Sequence, residues 1–334
     1  MPRHQRLEIP GAIYHVITRG IERRVIFKDN ADRNEFLSRL SSCLESTGAQ
    51  CLAWALLPNH FHLLIRTGVK PLSELMRRLL TGYALYFNHR HGRRGYLYQN
   101  RYKSVLCQED AYFLELVRYI HLNPVRAKLI NDMAALDAYP YSGHSVLIGK
   151  TKCPWQTTNE VLNQFGGSKS EAIRKYRNFT EEGLRAGKRD DLSGGGLRRS
   201  AGGWNGVHEL RRRKDYWRGD ERILGDGDFV NSVLKQWEEK LNRHDQLRRE
   251  GWNIDRLLGY VAKLLNVKPG DILHRSRGTI VSRAREVVAY WGYREVGIES
   301  RQLCETLNMS RPALTVSIRR GEVYIKENAL KLII

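Results

Sequence analysis

Leu56-Leu57-Pro58-Asn59-His60-Phe61-His62-Leu63-Leu64-Ile65 decides the reading of this 334-residue chain. A strand places alternate side chains on opposite faces, so His60 and His62 share one face while Phe61, Leu63 and Ile65 face a core. Two imidazoles on one strand face can chelate a divalent cation with no loop geometry to arrange. The alternative is a half-buried strand whose histidines merely alternate.

Outward from this strand, read as residues 51–66, the chain alternates between strand and helix patterns. Residues 10–21 are β-branched and end at a glycine, while residues 30–46 carry Phe36, Leu37, Leu40 and Leu44 at helical spacing. Pro71 opens a second helix, Gly92 to Asn100 reads as a turn and short strand, and a third helix over 110–122 stops at Pro124. This order within about 130 residues predicts an α+β sandwich with one sheet and helices on one face.

The third helix carries the second candidate group. Tyr119 and Asn123 are four apart, one turn from each other if the helix persists. A phenol beside a metal can attack a phosphodiester as a covalent nucleophile, and Asn123 can add an amide oxygen to the two histidines, a mixed set that suits Mg²⁺ or Mn²⁺. Asn123 directly precedes Pro124, where the helical projection is weakest. A packed aromatic is the alternative for Tyr119, and either water or His121 could take the phenol's proton.

Composition indicates the partner. The 56 Lys and Arg against 36 Asp and Glu give a net charge of +20, which favours a polyanion: nucleic acid, or an anionic membrane surface. No run of about 18 apolar residues predicts a membrane span. The basic start leads into no apolar signal segment, so a cytoplasmic, nucleoid-associated protein is expected. Five scattered cysteines suggest neither a disulfide framework nor a zinc site.

Four domains are expected: 1–150 as the α+β unit, 151–182 as a helical extension, 183–218 as a flexible basic linker, and 219–334 as an all-α unit. The linker window holds Ser193-Gly194-Gly195-Gly196, and ten Lys or Arg against four acidic residues. Helices are expected at 228–241, 254–265, 281–291 and 300–307. The last of these and a second helix capped by Ser310 have the form of a helix-turn-helix. Ser310, Arg311, Thr315 and Arg319 are the side chains aimed at DNA; a helical hairpin that only packs is the alternative.

Four motifs in order resemble the single-tyrosine HUH transposases of the insertion-sequence-200 type, most closely their REP-associated branch. They are Ile13-Tyr14-His15-Val16-Ile17-Thr18-Arg19-Gly20, Leu57-Pro58-Asn59-His60-Phe61-His62-Leu63-Leu64, Tyr98-Gln99-Asn100-Arg101-Tyr102-Lys103-Ser104 and Tyr119-Ile120-His121-Leu122-Asn123-Pro124-Val125-Arg126-Ala127. The resemblance spans about residues 5–145. It implies a ferredoxin-like antiparallel sheet with helices, a divalent cation on His60 and His62 with Asn123 at the third, amide-type position, and Tyr119 as nucleophile. It also implies a 5′-phosphotyrosine intermediate on single-stranded DNA. The last 85 or so residues resemble the DNA-binding domain of the replication initiator DnaA, from the Ile280–Tyr290 stretch onward. The second helix lacks that domain's Asp-His-Thr-Thr core, so only a Trp-repressor-like helical reader is implied.

The expectation is therefore a metal-dependent transposase that nicks and rejoins single-stranded, hairpin-bearing DNA while its C-terminal unit holds duplex. Arg19, Arg101 and Lys103 are expected on phosphates. A domesticated, non-cutting repeat-binding regulator and a metal-dependent hydrolase are the alternatives. Monomer and homodimer remain open.

Overall fold

The computed structural model describes residues 6–68, 70–186, 220–274 and 279–332. The chain divides into two compact units, Met1–Val233 and Leu234–Ile334.

In the first unit, β1 (Ile13–Arg19) leads to α1 (Asn30–Thr47), whose first turn is capped by Asp29 accepting from the Asp32 amide and which ends at Gly48, φ 66°. The expected strand over 51–66 is two strands, β2 (Gln50–Leu57) and β3 (His60–Arg66). Leu57 pairs with His60, so Pro58-Asn59 is a two-residue hairpin turn. Pro58 has no amide to give a ladder, and its carbonyl instead accepts from Ile26 and Phe27. Next come α2 (Leu72–Arg90), β4 (Lys103–Cys107) and α3 (Glu109–His121). Five shorter or later helices follow: α4 (Asn123–Arg126), α5 (Met133–Ala138), α6 (Gly143–Leu147), α7 (Asn159–Leu162) and α8 (Lys169–Arg185).

The sheet order is β2-β3-β1-β4-β5, antiparallel through β4, which is the α+β ferredoxin-like arrangement expected. Helices cover both faces rather than one. Phe61, on the face opposite His62, packs on Phe36 of α1, which in turn meets Tyr83 of α2. On the histidine face, Phe113, Leu116, Val117 and Ile120 of α3 share a buried cluster with Ala53, Ala55, Leu64 and Val105 of the sheet. A sheet buried on both sides needs apolar residues on both, and Leu63-Leu64-Ile65 is continuous for that reason.

The domain boundaries also shift. Val161, Leu162, Ala172 and Tyr176 belong to the α3 cluster, so residues 151–182 are part of the first unit's core. Gly183 lies inside α8 rather than in a linker: a Cβ there would fall 2.3 Å from the Arg118 side chain. The rest of the expected linker, from 187 onward, lies outside the described residues. The first unit then reaches past the expected boundary at 219. β5 (Ile223–Leu224) runs parallel to β4, and Gln108 and Asp226 exchange two hydrogen bonds of 2.9 Å.

α9 (Gly227–Arg249) crosses the boundary between the units and is longer than the expected 228–241. The second unit is all-α, with α10 (Ile254–Leu264), α11 (Pro269–Leu273), α12 (Thr279–Trp291), α13 (Ser300–Thr306) and α14 (Arg311–Glu327). α12 and α14 cross so closely that a Cβ at Gly321 would lie 2.1 Å from the Glu286 carbonyl oxygen. Buried Arg285 donates to the carbonyls of Ile272, His274 and Leu307, tying α11 and the end of α13 to α12.

Candidate active site

Antiparallel pairing sets Ile17 opposite His62 and Arg19 opposite His60. Opposed residues share a face, so His15, Arg19, His60 and His62 stand together, and Lys103, opposite Ile17 on β4, joins them. α3 lies on this face and brings half-buried Tyr119 edge-on to two imidazoles, with ring centroids 5.8 Å from His15 and 6.0 Å from His62. The His60 and His62 rings are 5.3 Å apart.

Hydrogen bonds decide which ring nitrogens remain available. His60 Nδ1 is 2.7 Å from Asn59 Oδ1, and a carbonyl oxygen only accepts, so Nδ1 carries the proton and Nε2 keeps its lone pair. Asn59 is oriented by its own amide nitrogen, which donates to the Arg23 carbonyl at 2.9 Å. That carbonyl belongs to a tight turn in which Glu22 and Arg23 take left-handed backbone angles, φ 51° and 60°. His62 Nδ1 lies 2.9 Å from His15 Nε2, with one N–H between them. With that proton on His62, its Nε2 is also a bare lone pair.

Electrostatics favours the same state. Burial, reinforced by the Arg19 charge, pushes His60 down to about 4. Burial, followed by His15, His60 and Arg19, drives His62 well below the usual imidazole range. Both rings are therefore neutral at pH 7, the form a divalent cation requires. No group of three or more His, Cys, Asp or Glu among the described residues is placed to hold a metal. Asn123 is the amide ligand expected from the sequence. α3 ends at His121 and a separate turn starts at Asn123, before Pro124. The Asn123 amide nitrogen donates back to the Tyr119 carbonyl at 2.9 Å, and its oxygen is the group left to bind.

Two site residues were missed by sequence reasoning. His15 lay within a quoted motif, but cross-strand register is what sets it against His62. Arg126 places its guanidinium 5.3 Å from the Tyr119 ring centroid, one turn past Asn123. His121 is set apart from the phenol: two residues on from Tyr119 it lies on another side of α3, fully buried, with Nδ1 2.7 Å from the Tyr176 hydroxyl and Nε2 without a partner among the described residues. Of the expected phosphate contacts, Arg19 and Lys103 share the histidine face, and exposed Arg101 lies just before β4. In the second unit Ser310 caps α14, and Arg311, Thr315 and Arg319 recur every four residues along that helix, on the stripe next to buried Leu314 and Ile318.

Residues 9–123 match the family model of IS200-like transposases. The IS200-like segment begins just before β1 and ends on Asn123, so it holds His15, His60, His62 and Tyr119. The chain is also similar to the solved structure of a REP-associated tyrosine transposase bound to a REP hairpin. The two share 17% identity over 47% of this chain and 97% of that one, with a TM-score of 0.37. No curated protein matches the chain. No helix among the described residues is long and apolar enough to cross a membrane.

Proposed function

We propose that this protein is a metal-dependent DNA strand transferase that cuts and rejoins single-stranded, hairpin-bearing DNA through Tyr119. The observation that carries this reading is the phenol edge-on to His62, inside the IS200-like segment. His60 and His62 through Nε2, with the Asn123 amide oxygen, would hold Mg²⁺ or Mn²⁺, and a cation there neutralises charge on the scissile phosphate. Tyr119 Oη forms a bond to phosphorus and the O3′ bond breaks, giving a 5′-phosphotyrosine and a free 3′-OH. The phenol's proton passes to solvent, and the 3′ oxygen leaves protonated. Attack by a 3′-OH reverses the sequence and rejoins the strand.

Arg19, Lys103 and Arg101 hold the substrate backbone, and the Arg311, Thr315 and Arg319 stripe of α14 meets duplex DNA. The net charge of +20 supports both contacts. The test is a denaturing-gel assay for a covalent adduct, using labelled hairpin DNA from the gene's own flanks with Mg²⁺ or Mn²⁺. The expected result is a metal-dependent adduct that Tyr119→Phe abolishes. Cleavage without an adduct would replace this reading with a hydrolase, and cleavage surviving Tyr119→Phe would overturn the covalent step.

A further inference from the structure

The first unit has a second recess. Helix α2 and residues 95–101 border a groove of about 880 Å³ whose lining includes Leu85, Asn88, Tyr96, Tyr98 and Arg101. That volume accommodates a nucleoside-sized group. Tyr96 is 85% exposed and Leu85 67% exposed, so an aromatic ring and an aliphatic side chain stand in solvent along one recess.

The backbone on both sides of Tyr96 is fixed. Asn88 donates to the Gly95 carbonyl at 2.9 Å, and Gly95 takes φ 88°, an angle that favours glycine. The Ile21 amide donates to the Leu97 carbonyl at 3.0 Å, and Tyr98 bridges to Gly20. The ring is thus presented on a pinned turn, which lowers the entropy cost of stacking something on it.

Two further facts concern polarity. Asn88 Oδ1 and the Tyr98 hydroxyl are buried with no hydrogen-bond partner among the described residues, although both residues line the groove. Such atoms ordinarily find partners, and a hydrogen-bonding ligand is one source. The run Arg93-Arg94-Gly95-Tyr96-Leu97-Tyr98-Gln99-Asn100-Arg101 interleaves cations with aromatic rings, the pattern of a surface for single-stranded nucleic acid. The groove also adjoins the histidine face: the Gln99 amide donates to the carbonyl of Arg19, which is paired with His60.

We infer that this groove is a base-binding site: an unpaired nucleobase of the strand leading to the candidate active site stacks on Tyr96, and Arg101 contacts its phosphate. The inference rests on the single-strand reading above and adds where the protein, rather than base pairing, holds a base. Stacking is tolerant of base identity, so the probe does not require the natural target.

The test is fluorescence anisotropy of the full-length chain carrying Tyr119→Phe, with labelled dT12 and with an abasic twelve-unit phosphodiester of the same charge. dT12 is expected to bind several-fold more tightly than the abasic chain. Tyr96→Ala should weaken dT12 by about tenfold, leave the abasic chain unchanged, and be rescued by Tyr96→Phe. The exposed side chain makes loss of folding an unsuitable explanation. Equal binding of the two probes, or equal weakening of both by Tyr96→Ala, would overturn the base site alone. Failure of both probes to bind would overturn the single-strand reading together with it.

Discussion

α3 carries two histidine–tyrosine groups, and they differ in how completely they are closed off from solvent. On the sheet side, Tyr119 meets His15 and His62. On the other side, His121 Nδ1 is 2.7 Å and His144 Nδ1 2.9 Å from the Tyr176 hydroxyl, while His144 Nε2 is 2.8 Å from Asp137. The carboxylate only accepts, so His144 carries its proton on Nε2 and receives the Tyr176 O–H at Nδ1, and His121 Nδ1–H then donates to the Tyr176 oxygen. Arg177 completes the chain by donating to Asp137 at 2.9 Å. This second group fastens α3 to α6 and α8 and is sealed, with His121, His144 and Tyr176 all fully buried. In the first group Asn59 holds His60 Nδ1 and His15 holds His62 Nδ1, and with the shared proton on His62 both Nε2 atoms are left for a ligand. Residue types alone do not separate a reactive cluster from a structural one, and neither does a free nitrogen, because His121 Nε2 also lacks a partner among the described residues; the first group keeps half-buried His60 and Tyr119 at its edge, while the second is closed.

The sharpest break of this comparison pairs His62→Ala with His121→Ala. His62→Ala should lower adduct formation by roughly 100- to 1,000-fold with the fold retained, as expected for loss of a group acting at the scissile phosphate. His121→Ala should act the other way: a loss of about 2–4 kcal/mol in urea unfolding, with adduct yield per folded molecule within about tenfold of wild type. Comparable adduct losses from both variants in folded protein would erase the distinction.

His15 tests how far the reactive group extends behind its ligands. If His15 fixes the tautomer of His62, His15→Ala should raise the Mn²⁺ concentration for half-maximal adduct by about 10- to 100-fold, with little change at saturating metal. A loss that saturating Mn²⁺ does not restore would move His15 from orienting His62 to some other task.

These contrasts mark how much could be read from sequence. Alternation placed His60 and His62 on one face because a strand's period is two, and that needs no tertiary knowledge. His15 was out of reach because its meeting with His62 depends on the register between β1 and β3, 47 residues apart in sequence. Helical spacing joined Tyr119 to Asn123, but which side of the sheet α3 covers is a matter of packing. The expectation of helices on one face failed although Leu63-Leu64-Ile65 already suggested a strand buried on both. β5 was illegible for another reason: two residues, Ile223 and Leu224, make too short a pattern, and their partner strand lies more than 100 residues earlier. His121 looked available as an acceptor although two residues of helix already set it on another side from Tyr119, where Tyr176, 55 residues on, lies beside it.

The smallest effect follows from the sealed group. Burial, then the neighbouring His144, holds His121 well below the usual imidazole range; burial also lowers His144, against the opposing pull of Asp137. In the unfolded chain both titrate near 6.5. Below that pH the unfolded state takes up protons that the folded state refuses, so the stability these groups allow is complete above about 6.5 and declines as the pH falls toward their folded values. Each such histidine adds up to about 1.4 kcal/mol per pH unit to the decline. Urea unfolding between pH 7.5 and 5.5 keeps above the range where most carboxylates titrate and reads this slope together with the share of His60 and His62, which burial also lowers, so the variant is compared with wild type. His121→Gln, whose amide can still donate to Tyr176, should lower the stability at pH 7.5 modestly and flatten the slope by about one proton's share. His121 is the more informative of the pair because no carboxylate offsets its burial. An unchanged slope would mean that His121 takes up its proton in the folded protein as readily as in the unfolded one, and the two sides of α3 would then differ in position but not in kind.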